Sequence, residues 1–171
     1  MKKILLAVAI VAMASSAMAA VGIEFGANWY KPNLDPNYAD ENFFGQGQNM
    51  TITWALENDL ALGVYTEATM LNDGYGNTYP FNVNAIQVRK GIVKNVDVGM
   101  NLGTFYEDYS NSTGMLTDVF GEVTVLSGKG EKVEGALKGQ VGGRWADDSW
   151  QYGSASNWNG YFVNLLVAIL L

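Results

Sequence analysis

The eleven residues Tyr161–Leu171, YFVNLLVAILL, decide how the chain is read. Ten of them are apolar or aromatic. As a helix the stretch rises only about 16 Å, and a membrane-spanning helix needs about 20 apolar residues. A tilted membrane strand needs only about 9–11. At a period of two, Tyr161, Val163, Leu165, Val167, Ile169 and Leu171 form one unbroken apolar face. A lone strand in lipid would leave its backbone groups unpaired, so this reading demands partner strands elsewhere in the chain.

The rest of the sequence supplies them. Val21, Ile23, Phe25, Ala27 and Trp29 alternate with Gly22, Glu24, Gly26, Asn28 and Tyr30. Met50, Ile52, Trp54 and Leu56 alternate with Thr51, Thr53, Ala55 and Glu57. Further alternating runs follow Asn58-Asp59, Lys94-Asn95 and the SGKGE turn. The stretch FNVNAIQVRK fits least well, because Val83 falls opposite Ile86 and Val88; a bulge near Asn84-Ala85 is expected there. Gly135, Gly139 and Gly143 match a helix-packing spacing. Glu134, Lys138 and Arg144 interrupt that stretch, and no long apolar window accompanies it.

Eight strands result, with long polar connections after the first, third, fifth and seventh and short ones after the second, fourth and sixth. That rhythm predicts an all-β fold, an eight-stranded antiparallel up-and-down transmembrane β-barrel. The strand Tyr161–Leu171 then closes against the first strand and removes both sheet edges. Residues 1–19, MKKILLAVAIVAMASSAMA, read as a cleavable signal peptide, and residues 20–171 as the barrel. Cleavage after Ala19 removes Lys2 and Lys3 and takes the side-chain charge from −7 to −9.

These features resemble the small eight-stranded outer-membrane barrels, the class of OmpX and the OmpA membrane domain. The resemblance spans residues 20–171 and rests on the leader, the strand rhythm, the length and the closing strand. Family members often end on an aromatic residue, where this sequence has Leu171. The resemblance implies residence in the outer membrane of a Gram-negative-type bacterium. It also implies contact with outer-membrane lipids, recognition of the last strand by the insertion machinery, and a monomer.

Aromatic residues gather near the long-loop ends of the strands, and Trp29, Tyr106, Trp145 and Tyr161 are expected at the lipid interface. The inward phase collects a lumen set of Glu24, Glu57, Glu67, Arg89, Asp97, Asp118, Glu122, Glu134, Lys138 and Arg144. An eight-stranded interior is about filled by its own side chains, so paired charges packing the lumen are preferred over acid–base catalysis. The chain has no His and no Cys, which removes His-dependent nucleophilic devices and Cys/His zinc sets. The acidic stretches DPNYADEN and EDYSN match no Ca²⁺ ligand spacing, so no metal or cofactor is expected. The negative charge disfavours nucleic acid. The expected function is non-enzymatic, structural or surface-interacting through the long acidic and aromatic loops. A narrow passive channel, or a soluble exported barrel carrying an apolar ligand, stand as alternatives.

Overall fold

A computed structural model describes residues 20–33, 43–108, 111–130, 133–147 and 158–170. The expected leader, the acidic stretch 35–42 and Leu171 lie outside the described residues. Eight strands run in chain order: β1 (Val21–Pro32), β2 (Phe44–Ala55), β3 (Leu60–Asn72), β4 (Thr78–Val93), β5 (Val96–Glu107), β6 (Ser112–Lys129), β7 (Glu134–Asp147) and β8 (Gly160–Leu170). Each pairs antiparallel with its neighbour, and β8 pairs with β1, so the sheet closes as a barrel. The closing register sets Val167 beside Phe25 and Val163 beside Trp29.

The register fixes the barrel's shape. One ladder runs from Pro80 through Met70, Gln46, Trp29, Val163, Val141, Gly121 and Val98, and returns on Lys90. The circuit therefore rejoins β4 ten residues from its start. With strands about 4.8 Å apart and a rise of about 3.3 Å per residue, that stagger tilts the strands by about 40–45°.

The turns follow from local chemistry. Asn58 and Asp59 both have positive φ, 60° and 58°, the geometry of a two-residue hairpin turn whose twist matches the strands. Asn95 turns the β4–β5 hairpin at φ 66°. The bulge expected at Asn84-Ala85 is absent there. Pairing runs unbroken through both residues, and the register shifts instead between Gly91 and Val93. Val83 simply points inward and is buried, while Asn82 and Asn84 point outward. A second irregularity lies between Thr124 and Leu126. Gly135 and Gly139 lie within β7, not on a helix.

The two faces of the wall differ sharply. Outward residues such as Val64, Ile86, Val119, Val141 and Val167 are about half exposed or more. Inward residues are buried and mostly polar, including Glu24, Asn28, Thr51, Gln87, Asn101 and Asn164. Closure also covers inward glycines. A Cβ on Gly99 would lie 2.4 Å from Cζ of Phe120, so that ring occupies the space a side chain would need.

Candidate functional site: the closed lumen

The lumen is the only described region in which charged side chains from many strands converge, and it is built in layers. Nearest the long loops is an aromatic plug. Tyr30, Phe43, Leu71, Phe81, Phe105, Leu116, Trp158 and Phe162 are all buried and in one cluster. Phe81 and Phe105 stack with centroids 5.3 Å apart. Phe43 meets Trp158 edge-on at 5.6 Å. The Tyr30 hydroxyl donates to the Trp158 carbonyl. Strand alternation explains this plug. Trp29 and Tyr106 face outward, so their neighbours Tyr30 and Phe105 must face inward. The aromatics near the long loops thus divide between the two faces: Trp29, Tyr106, Trp145 and Tyr161 are exposed on the outer wall.

Beneath the plug lies Arg144, with no exposed surface on its side chain. Its guanidinium sits under three rings, with Cζ 4.8 Å from the Tyr30 centroid, 5.2 Å from Phe162 and 5.6 Å from Phe81. Cation–π attraction strengthens when the groups are desolvated. In its own plane Arg144 grips two carboxylates. Nη1 and Nη2 donate to Glu67 Oε1 and Oε2 at 3.0 and 2.7 Å. Nε and Nη2 donate to Asp118 Oδ1 and Oδ2 at 2.8 and 3.0 Å. Tyr65 also donates to Glu67, at 2.6 Å, and Asn101 to Asp118, at 3.0 Å.

A second ionic layer lies closer to the short turns. Arg89 donates to Glu24 at 2.9 and 2.6 Å and to Glu122 at 2.7 Å. Lys138 bridges the same two carboxylates at 2.8 and 2.9 Å. Two cations thus balance two anions. Side-chain amides connect the layers. Asn28 donates to Asn164 at 2.9 Å, Asn164 to Gln140 at 2.6 Å, and Gln140 to Glu122 at 3.3 Å. The Thr69 hydroxyl lies 2.8 Å from Glu67 and 2.9 Å from Asn28, and donates to one at a time. Gln87 donates to Asn101 at 3.0 Å on the other side.

Seven of the ten charged residues predicted for the lumen come together in these two layers. The other three do not. Glu57 is exposed in the β2–β3 turn, because β2 ends at Ala55 and the inward-outward alternation ends with the strand. Asp97 and Glu134 line a cavity of about 340 Å³ at the short-turn end, whose inner surface includes Glu24, Arg89 and Lys138. The amides Asn28, Gln87, Asn101, Gln140 and Asn164 join the seven from the same inward phase, where no charge marks them in the sequence. Glu107, which opens the acidic stretch EDYSN, ends β5 and is fully buried.

Near the rim, Asp73 organises the β3–β4 loop. Its Oδ1 accepts from the backbone N–H of Tyr75 at 2.8 Å and of Asn77 at 3.1 Å, and its Oδ2 from the Asn77 side chain at 2.7 Å. The Asn77 amide and these backbone donors hold the Asp73 carboxyl below the usual carboxylate range.

Among the described residues, no group of three or more His, Cys, Asp or Glu side chains is placed to hold a metal ion. No helix of the described residues is long and apolar enough to cross a membrane, which says nothing of strands. No protein-family model matches the chain, and no curated protein does. Among solved structures, the barrel is similar to the outer membrane protein OprG from Pseudomonas aeruginosa. The identity is 8%, with 90% of this chain and 97% of that chain covered, at a TM-score of 0.43. This likeness does not single out the OmpX and OmpA class.

Proposed function

We propose that the chain is an outer-membrane barrel of the small eight-stranded class, non-enzymatic, exported by the leader at residues 1–19. One observation carries this reading: the wall is apolar outside and polar inside. A soluble carrier barrel would bury its apolar face around its ligand and present the polar face to water. Here the reverse holds, with Val64, Ile86, Val119, Val141 and Val167 outside and paired charges inside. An apolar band of this kind, flanked by outward Trp29, Trp145, Tyr106 and Tyr161, suits lipid. The packed lumen favours a structural or surface-interacting role over a passive channel. Outer-membrane lipids are the first partners on this reading, and the insertion machinery would receive strand β8.

The test is fractionation. The mature protein should sediment with outer membranes and dissolve only in detergent. Its folded form should migrate differently from the boiled form on a gel. Release as a soluble protein by osmotic shock would overturn the reading.

A further inference from the structure

The outer wall is apolar over most of its area, but the halves of β2 and β4 nearer the long loops carry outward carboxamides. Gln46 and Gln48 on β2, and Asn82 and Asn84 on β4, occupy the outward phase. The register brings them together. Ala68 of β3 pairs with Gln48 on one side and Asn82 on the other. Thr66 pairs with Met50 and with Asn84. Gln48, Met50, Thr66, Ala68, Asn82 and Asn84 line a shallow groove in the wall, and Gln48 also borders a second groove that continues over Ala27. None of the four carboxamides makes a side-chain hydrogen bond among the described residues.

Interfacial aromatics flank this sector on both sides. Trp29 pairs with Gln46, and Tyr106 pairs with Asn82. Gln48 and Asn84 lie one outward position deeper than those pairs, on the lipid side of the aromatics. (Phe44 sits higher, at the rim of β2.) Hydrocarbon offers an amide neither donor nor acceptor, and burying an unsatisfied one is costly. A carboxamide carries both kinds of group. A patch of carboxamides is therefore complementary to itself, the requirement of an interface with two-fold symmetry. Ala27, Thr66 and Ala68 are small, and small residues let two backbones approach closely. The outward residues beside the four carboxamides, Met50, Thr66, Ala68 and Met70, carry no charge, so the patch offers no ion pair to a charged partner.

We propose that this sector is a dimer interface between two copies of the chain, with Gln48 near the two-fold axis. The proposal rests on the reading that the wall faces lipid, and it replaces the monomer expected from sequence. Because the chain contains no cysteine, single cysteines report contact directly. In intact membranes under mild oxidation, Gln48→Cys should give a disulfide-linked dimer, and Val119→Cys and Val141→Cys on the far wall should not. The double variant Gln48→Leu/Asn84→Leu should fall from dimer to monomer mass by light scattering in detergent, while keeping its heat-dependent gel shift. Membrane-resident protein that fails to cross-link at Gln48, or cross-links equally at all three sites, overturns the dimer alone. So does a monomeric wild type carrying bound glycolipid. A wild type recovered in the soluble fraction overturns the membrane reading and the dimer with it.

Discussion

Arg144 grips Glu67 across the lumen through two parallel hydrogen bonds, 3.0 and 2.7 Å, although β7 and β3 share no edge. The same guanidinium holds Asp118 on β6. All three side chains are fully buried. The contact ties opposite walls of the barrel, which backbone ladders cannot do, because they join only neighbours.

Removing Arg144 therefore exposes the cost of two buried carboxylates. Arg144→Met should destabilise the barrel by about 3–5 kcal/mol, the usual penalty for breaking a buried pair. Replacing all three at once, with Glu67→Gln and Asp118→Asn, should recover much of that loss, because no charge is left unpaired. Urea unfolding in lipid vesicles measures both. If the triple variant is as weak as the single one, the stabilisation lies in the rings over Arg144 and not in the ion pairs.

The wall makes a second, position-specific prediction. Ile86→Arg places a charge on a well-exposed outward site of β4 and should cost about 2–4 kcal/mol near the bilayer midplane. Inward sites are not uniformly tolerant. Gly99→Ser should be damaging because a Cβ there would lie 2.4 Å from the Phe120 ring. Ala136→Ser, which faces the cavity at the short turns, should be nearly neutral. Equal losses at Ile86 and Ala136 in the same unfolding assay would mean the faces are assigned wrongly.

The Asp73 loop should respond to acid. Its carboxyl is held below the ordinary range in the folded loop, so its contribution is full above the unfolded pKa, about 3.9. It is lost as pH falls through the lower, folded value. Amide exchange at Tyr75 and Asn77 should therefore remain slow at neutral pH and accelerate in strong acid, after correction for intrinsic rates. Asp73→Asn should exchange faster at neutral pH and lose the acid step. An acid step that survives in Asp73→Asn would assign it to another group.

Much of this architecture is legible in the sequence because a strand's period is two, and the alternation assigns both faces at once. Tyr161, Val163, Leu165, Val167 and Ile169 needed nothing more than that phase to be placed outside. The misplaced bulge has one cause, the assumption that apolar means outward. Val83 contradicts it by packing under the aromatic plug, so the bulge inferred from it does not exist. Tyr30, Phe81 and Phe105 contradict it by filling the lumen mouth. Which aromatic seals the lumen and which meets lipid depends on phase, not on residue type. The amide relay was hidden because Asn and Gln carry no charge to count. Its partners, such as Asn28 and Asn164, are 136 residues apart in the chain and adjacent only once β8 closes on β1.

The second ionic layer separates two roles for its cations. Arg89 makes three hydrogen bonds to Glu24 and Glu122, and Lys138 makes two to the same carboxylates. Without Lys138, Arg89 still pairs both anions. Without Arg89, Glu24 keeps only Lys138 among the cations. Lys138 also borders the cavity and is 15% exposed, against 6% for Arg89. Arg89→Met should therefore cost about 3–5 kcal/mol, and Lys138→Met distinctly less. Neither change should open the barrel to ions, because Arg144 and the aromatic plug close the lumen nearer the long loops. Planar-bilayer recordings of wild type, Lys138→Met and Arg89→Met should show no steady conductance, with unfolding midpoints ranked wild type, Lys138→Met, Arg89→Met. Large, stable, cation-selective currents in the wild type would mean that the layers are wet, and would promote the channel reading over the structural one.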